Sequence, residues 1–163
     1  MLSLPEIVDR DAVPYIAVSA RVTLPFDDRI GGIMATLFSH LAENELREAG
    51  PVFFKHNVVA MPDIDMEFGV PVDRVVECPK GFVSGILPGG RYAEISYFGP
   101  YDDLITVNGV LIGWAGHVGL IFDSRREDDG EWFANRCEIY HNSPEEQPDP
   151  LKLHTTVSIR LKD

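Results

Sequence analysis

The chain has 163 residues, 45% of them hydrophobic and 25% charged, and 26 acidic side chains against 14 basic ones give a net charge of -12. That balance fits one soluble globular domain and excludes a disordered, collagenous or membrane-spanning chain. The acid excess argues against direct contact with nucleic acid or an anionic membrane, and it is compatible with a cationic ligand.

The start, MLSLPEIVDRD, lacks the basic and apolar order of a signal peptide. The longest nearly uncharged stretch, Leu104 to Phe122, carries Asn108, His117 and four glycines and makes a poor membrane span. Cys78 and Cys137 are too few for a disulfide scaffold, so the expected location is the cytoplasm with both thiols reduced.

In chain order, Ile16, Val18, Ala20 and Val22 alternate with Tyr15, Ala17, Ser19 and Arg21, the period of a half-buried strand. After Leu24-Pro25-Phe26-Asp27-Asp28 the period changes, and Ile30, Ile33, Met34, Leu37, Phe38 and Leu41 fall on one helical stripe. Asp27 or Asp28 is placed to cap this helix, and Gly50-Pro51 to end it. Val52 to Met61 predicts a second strand, and Asp65 to Val72 a third, broken by Gly69 and Pro71. Gly81 to Leu87 predicts a short strand, Pro88-Gly89-Gly90 a turn, and Tyr92 to Phe98 another alternating strand. Gly99 to Asp103 then opens a helix whose stripe is Leu104, Val107, Leu111, Trp114 and Val118. Asp123 to Glu131 predicts a polar loop, Arg136 to Asn142 a strand, and Pro144 to Pro150 a second polar loop. Leu153, Thr155, Val157, Ile159 and Leu161 form the inward face of a final strand.

A repeat runs through this order. Pro25-Phe26-Asp27-Asp28 matches Pro100-Tyr101-Asp102-Asp103 at an offset of 75, and Ile30 matches Ile105. The expected fold class is therefore α+β, with two strand-helix-strand-strand units (about 5–75 and 80–163) forming one domain with pseudo-two-fold symmetry. A single helix per unit leaves one sheet face bare, and pairing of the units is expected to bury those faces around a cleft.

No phosphate loop, serine-hydrolase elbow or zinc-protease motif is present, and the five histidines and two cysteines have no metal-like spacing. No metal or other cofactor is expected. Among the acids, Glu138 stands out in Arg136-Cys137-Glu138-Ile139-Tyr140-His141, where alternation puts Glu138 and Tyr140 on one face. If that face meets the cleft, a partly dry carboxylate would seek a cation, take a hydrogen bond from Tyr, or orient water as a base. If it meets solvent, Glu138 is an edge-strand surface residue. Glu67 is a second acidic candidate, with a solvated strand position as its plainer explanation. Trp114 lies on a helix whose Gly109, Gly113, Gly116 and Gly119 suggest a bare face for close packing or a ligand. Aromatic rings such as these bind flat or cationic molecules, although most serve the core.

The ordered motifs Met66-Glu67-Phe68-Gly69-Val70-Pro71-Val72, Leu87-Pro88-Gly89-Gly90-Arg91-Tyr92-Ala93, Phe98-Gly99-Pro100-Tyr101-Asp102-Asp103-Leu104, Trp114 and Cys137-Glu138-Ile139-Tyr140 resemble one family. The chain is similar to the GyrI-like effector-binding domains over about residues 5 to 161. The resemblance implies a groove between two like units in which a buried glutamate pairs with lipophilic cations among aromatic rings. It assigns that role to Glu138 with Tyr140 beside it, and ligand contacts to Tyr97, Tyr101 and Trp114. Other relatives inhibit DNA gyrase through a protein interface, and others are hydrolases of cyclopropane-bearing alkylators, for which Glu138 and Tyr140 would be catalytic. Many relatives carry a helix-turn-helix domain, and none is expected within these residues. A small-molecule ligand is the expected partner in the first two cases, and gyrase in the third.

Overall fold

The computed structural model describes all 163 residues. Its strands are β1 (Glu6–Arg10), β2 (Val13–Thr23), β3 (Val52–Ala60), β4 (Asp63–Pro71), β5 (Phe82–Leu87), β6 (Gly90–Phe98), β7 (Ser124–Glu127), β8 (Gly130–Phe133), β9 (Arg136–Tyr140) and β10 (His154–Arg160). Helix α1 (Arg29–Glu43) follows β2, and helix α2 (Leu104–His117) follows β6 through a short 3-10 turn over Tyr101–Asp103. All pairings are antiparallel, in the order β1-β6-β10-β9-β3-β4-β2-β5, and the β7–β8 hairpin joins β3 through β8.

Each half supplies a strand-helix-strand-strand run, β2-α1-β3-β4 and β6-α2-β9-β10, with the β7–β8 hairpin inserted in the second. The order reads the same from either end when the halves are exchanged, and β3 pairs with β9 at the middle. The halves therefore meet edge to edge in one sheet rather than face to face.

One face of the sheet carries the helices. Ile16, Val70 and Val72 bury Leu37 and Leu41 of α1, while Ile95, Val157, Ile159 and Leu161 bury Leu104, Val107 and Leu111 of α2. The other face closes on itself by curling. Tyr15 and Ala17 of β2, Phe53 of β3 and Cys137 of β9 form one buried cluster with Val83 and Leu87 of β5, four strands away from β9. So β2 is buried on both faces around Tyr15–Ala17, not half-buried as alternation predicts.

Three local readings need correction. Helix α1 ends at Glu43, short of Gly50-Pro51, because its buried stripe ends at Leu41; Glu45 turns left-handed at φ 52° and Leu46 folds back with its amide on Leu41 O. Of the two expected caps, Asp28 occupies the cap position without a side-chain bond, and Asp27 takes the Arg29 amide at 2.9 Å. Gly69 does not break β4. It sits inside the strand, where an added Cβ would come within 2.9 Å of Phe53 and Ala17, so its bareness lets Phe53 cross the sheet. The segment Asp123 to Glu131 is no simple loop but most of the β7–β8 hairpin, turned at Gly130 with φ 136°. Strand β1, exposed along most of its length, carries too little apolar alternation to be visible in sequence.

Candidate functional site

A groove of about 1860 Å³ lies between α1 and α2. Helix α1 packs over β2 and β4, helix α2 over β6 and β10, and the central strands β3 and β9 are left uncovered as the floor. The two-residue period sends Phe54 and His56 of β3, and Arg136, Glu138 and Tyr140 of β9, to this same face. Phe54 stands opposite Glu138 and Val52 opposite Tyr140 in the ladder. Ile30, Met34 and Phe38 form one wall, and Leu104, Ile105 and Ile112 the other. The matched segments at an offset of 75 face each other across it: Phe26, Asp27 and Ile30 on one side, Tyr101, Asp102 and Ile105 on the other.

Glu138 is only 6% exposed and forms no ion pair. The Tyr140 hydroxyl donates to its Oε1 at 2.6 Å, and the Asn108 amide donates to its Oε2 at 3.0 Å. Burial pushes its pKa up, against the opposing pull of those two hydrogen bonds and of the nearby Arg136 charge. Burial and the adjacent carboxylate push Tyr140 up as well, so it stays a proton donor. Rings surround the pair. Phe54 meets Tyr140 edge-on with centroids 4.7 Å apart, Tyr101 meets Tyr140 at 5.4 Å, and Phe26 meets Phe54 at 6.2 Å.

The Asn108 side chain links two charges. Its Nδ2 serves Glu138 and the Leu104 carbonyl, and its Oδ1 accepts from Arg136 Nη2 at 3.0 Å. Arg136 lies over the Phe133 ring at 4.9 Å, and its Nε is buried without a partner. Desolvation lowers its pKa while Glu138 and Glu131 raise it. His56, 6% exposed, has neither ring nitrogen hydrogen-bonded, and burial pushes its pKa down to about 3, helped by Arg136. It is neutral at physiological pH.

The structure brings Glu138, Tyr140 and Tyr101 together in the groove and places the other three candidates elsewhere. Glu67 lies on the opposite face of the sheet, buried against Tyr15 and Asn57 with Lys55 at 3.7 Å. Trp114 packs on the α2 core, outside the lining. Tyr97 packs on that same core and donates its hydroxyl to Asp103. The glycines of α2 do not serve close packing: a Cβ at Gly109, Gly113 or Gly116 would meet nothing within 4 Å, and of the three only Gly109 borders the groove. Asn108, Arg136, His56 and Phe54 are the functional candidates that sequence reasoning missed. Asn108 carries a usable signal, a polar side chain on the apolar stripe one turn after Leu104.

The charge of the lining is lopsided. Ten carboxylates border the groove, including Asp27, Asp102, Glu131, Glu138, Glu145 and Glu146, against two guanidiniums, Arg126 and Arg136. No set of three or more His, Cys, Asp or Glu side chains is gathered as a metal ion would need, and no helix is long and apolar enough to cross a membrane.

Residues 4–162 match the family model of the GyrI-like small molecule binding domain. The chain belongs to this family. Its fold is shared with the EcmrR C-terminal domain (TM-score 0.75, 13% identity, 98% of each chain covered). In an EcmrR–DNA complex the match has a TM-score of 0.78 at 12% identity, and there the chain spans 57% of the EcmrR length. SAV2435 bound to tetraphenylphosphonium has the same fold (0.63, 8%, 98% of this chain and 94% of that one). So does a hydrolase from Listeria innocua (0.55, 13%, 97% and 91%). At these identities the likeness is one of fold. A comparison with curated sequences finds no significant match.

Proposed function

We propose that this GyrI-like domain is a small-molecule receptor whose groove takes lipophilic, cationic aromatic compounds, with Glu138 as the anchor. The observation that carries this reading is a carboxylate without an ion pair, buried under Phe54, Tyr140 and Tyr101 in a groove bordered mostly by acids. A desolvated carboxylate attracts a cation far more strongly than an exposed one, and ring faces add about 0.5–2 kcal/mol per cation–π contact. The relative that binds tetraphenylphosphonium supports the ligand class by fold.

Calorimetric titration with tetraphenylphosphonium tests it. Wild type binds, and Glu138→Gln, which keeps the shape and the Tyr140 bond, loses about tenfold or more, equivalent to roughly 1.4 kcal/mol. Equal binding by the two proteins removes Glu138 as anchor.

A second reading is favoured by one feature. A carboxyl with a raised pKa, 2.6 Å from a Tyr hydroxyl, is the pairing that could activate water and donate to a developing charge. On that reading Glu138 and Tyr140 are catalytic in opening an electrophilic, cyclopropane-type substrate. Turnover lost in Glu138→Gln supports it, and no turnover across an electrophile panel removes it. A gyrase-type protein interface needs neither the buried carboxylate nor the rings around it, and nothing in the groove favours it.

A further inference from the structure

We infer that the groove selects dipolar ligands, seating a cationic part at Glu138 and a hydrogen-bond acceptor or anionic part at Arg136. The inference deepens the receptor reading and rests on it.

Arg136 and Glu138 are two residues apart on one face of β9, which sets their Cα atoms about 7 Å apart along the strand. Long side chains of opposite charge at that spacing can reach each other. Here Asn108 stands between them, accepting from the guanidinium and donating to the carboxylate. A direct pair would leave a ligand little charge of either sign. The inserted amide keeps the two poles separate.

The guanidinium has unused capacity. Seven of the ten arginines, including Arg10 and Arg160, form ion pairs with carboxylates. Of the three that do not, Arg47 and Arg91 are exposed to water, and only Arg136 is half-buried. Its Nη2 serves Asn108, its Nε is buried unpartnered, and its Nη1 hydrogen-bonds no protein group. Beneath it lies the Phe133 ring, and near it the unpartnered imidazole of His56. The buried Nε is out of a ligand's reach, so Nη1 is the donor that a ligand acceptor meets, and a charge-assisted hydrogen bond to it in this half-buried place is stronger than one in water.

The test is a matched pair of dyes, rhodamine B with its free carboxylate and rhodamine B methyl ester, which share one cationic ring system. The ten carboxylates of the lining work against the carboxylate form, so general electrostatics favours the ester. The dipolar groove instead binds rhodamine B about tenfold tighter than the ester. Arg136→Gln abolishes that preference while the ester keeps its affinity or gains, and Glu138→Gln weakens both dyes. Wild type binding the ester as tightly as rhodamine B, or Arg136→Gln keeping the preference, overturns this inference and leaves the receptor reading standing. Failure of both dyes to bind wild type overturns both. The wild-type comparison needs no variant to fold.

Discussion

Glu138 is held in the folded chain at the expense of its own ionisation. Burial raises its pKa, so the folded state holds the proton at pH values where the unfolded chain, near 4.5, has released it. Its protonated form therefore contributes stability that is fully present below about pH 4.5 and is lost as pH rises through the folded value. Above that value the buried charge is a constant penalty. Glu138→Gln removes it while keeping an acceptor for Tyr140, and its amide nitrogen then faces the Asn108 Nδ2 donor, which offsets part of the gain. The expected outcome is a gain of about 1–2 kcal/mol at pH 8, roughly 2–4 °C in Tm per kcal/mol, shrinking as pH falls toward 4.5. Calorimetric melts at pH 8 and pH 5 check it; a Tm below wild type at pH 8 would show that the Glu138 network stabilises the fold outright. The residue was legible because its neighbours in β9 betray its face. Asn108 and Arg136 were not, because their bonds join positions 30 and 28 apart on different elements, and local periodicity carries no record of such pairs. Glu67 illustrates the converse. It shares the acidic-strand signature of Glu138, but the ladder turns it to the other face, where Lys55, Tyr15 and Asn57 satisfy it.

At the scale of elements, glycine has two opposite meanings in this chain. In α2, Gly113 faces open space, so Gly113→Ala restores helix propensity at no steric cost and should stabilise by up to about 1 kcal/mol. In β4, Gly69→Ala would drive a Cβ to 2.8 Å from the Ile16 carbonyl and 2.9 Å from Phe53, and should destabilise by about 1–3 kcal/mol. Urea denaturation of both variants reads the two signs; equal effects would contradict this account. Both glycines look alike in sequence. The distinction lies in what stands opposite them, and β4 is flanked by β2 and β3 while that face of α2 has no neighbour. The elements themselves were mostly legible wherever one face is apolar, as in β10 and α1. They were hidden where both faces are wet: β1 and β7 have no apolar alternation to follow, although Asp129-Gly130 marks the hairpin turn.

At the scale of the molecule, the net charge of -12 acquires a location. In the sequence the acid excess runs through the whole chain, with 16 acidic and 8 basic residues in 1–121 and 10 and 6 in the remainder, which suggests a merely solvated surface. Folding gathers ten carboxylates and only two guanidiniums around one groove, because the matched Pro-Phe-Asp-Asp and Pro-Tyr-Asp-Asp turns face each other and the hairpin and the Asn142–Glu146 segment add their acids at its ends. A concave surface of one sign focuses its field and raises the local concentration of counter-ions, which speeds their association. The consequence is kinetic. Raising ionic strength from about 0.02 M to about 0.5 M shortens the screening length from roughly 20 Å to roughly 4 Å, so the rim acids cease to act beyond the groove mouth. Association of tetraphenylphosphonium should then slow several-fold. Dissociation, governed by the desolvated contact with Glu138 and the rings, should change little. Surface plasmon resonance on the immobilised protein separates the two rates. An uncharged triphenyl compound of the same shape should show no such dependence, and if it does, salt is acting on the protein and not on the encounter.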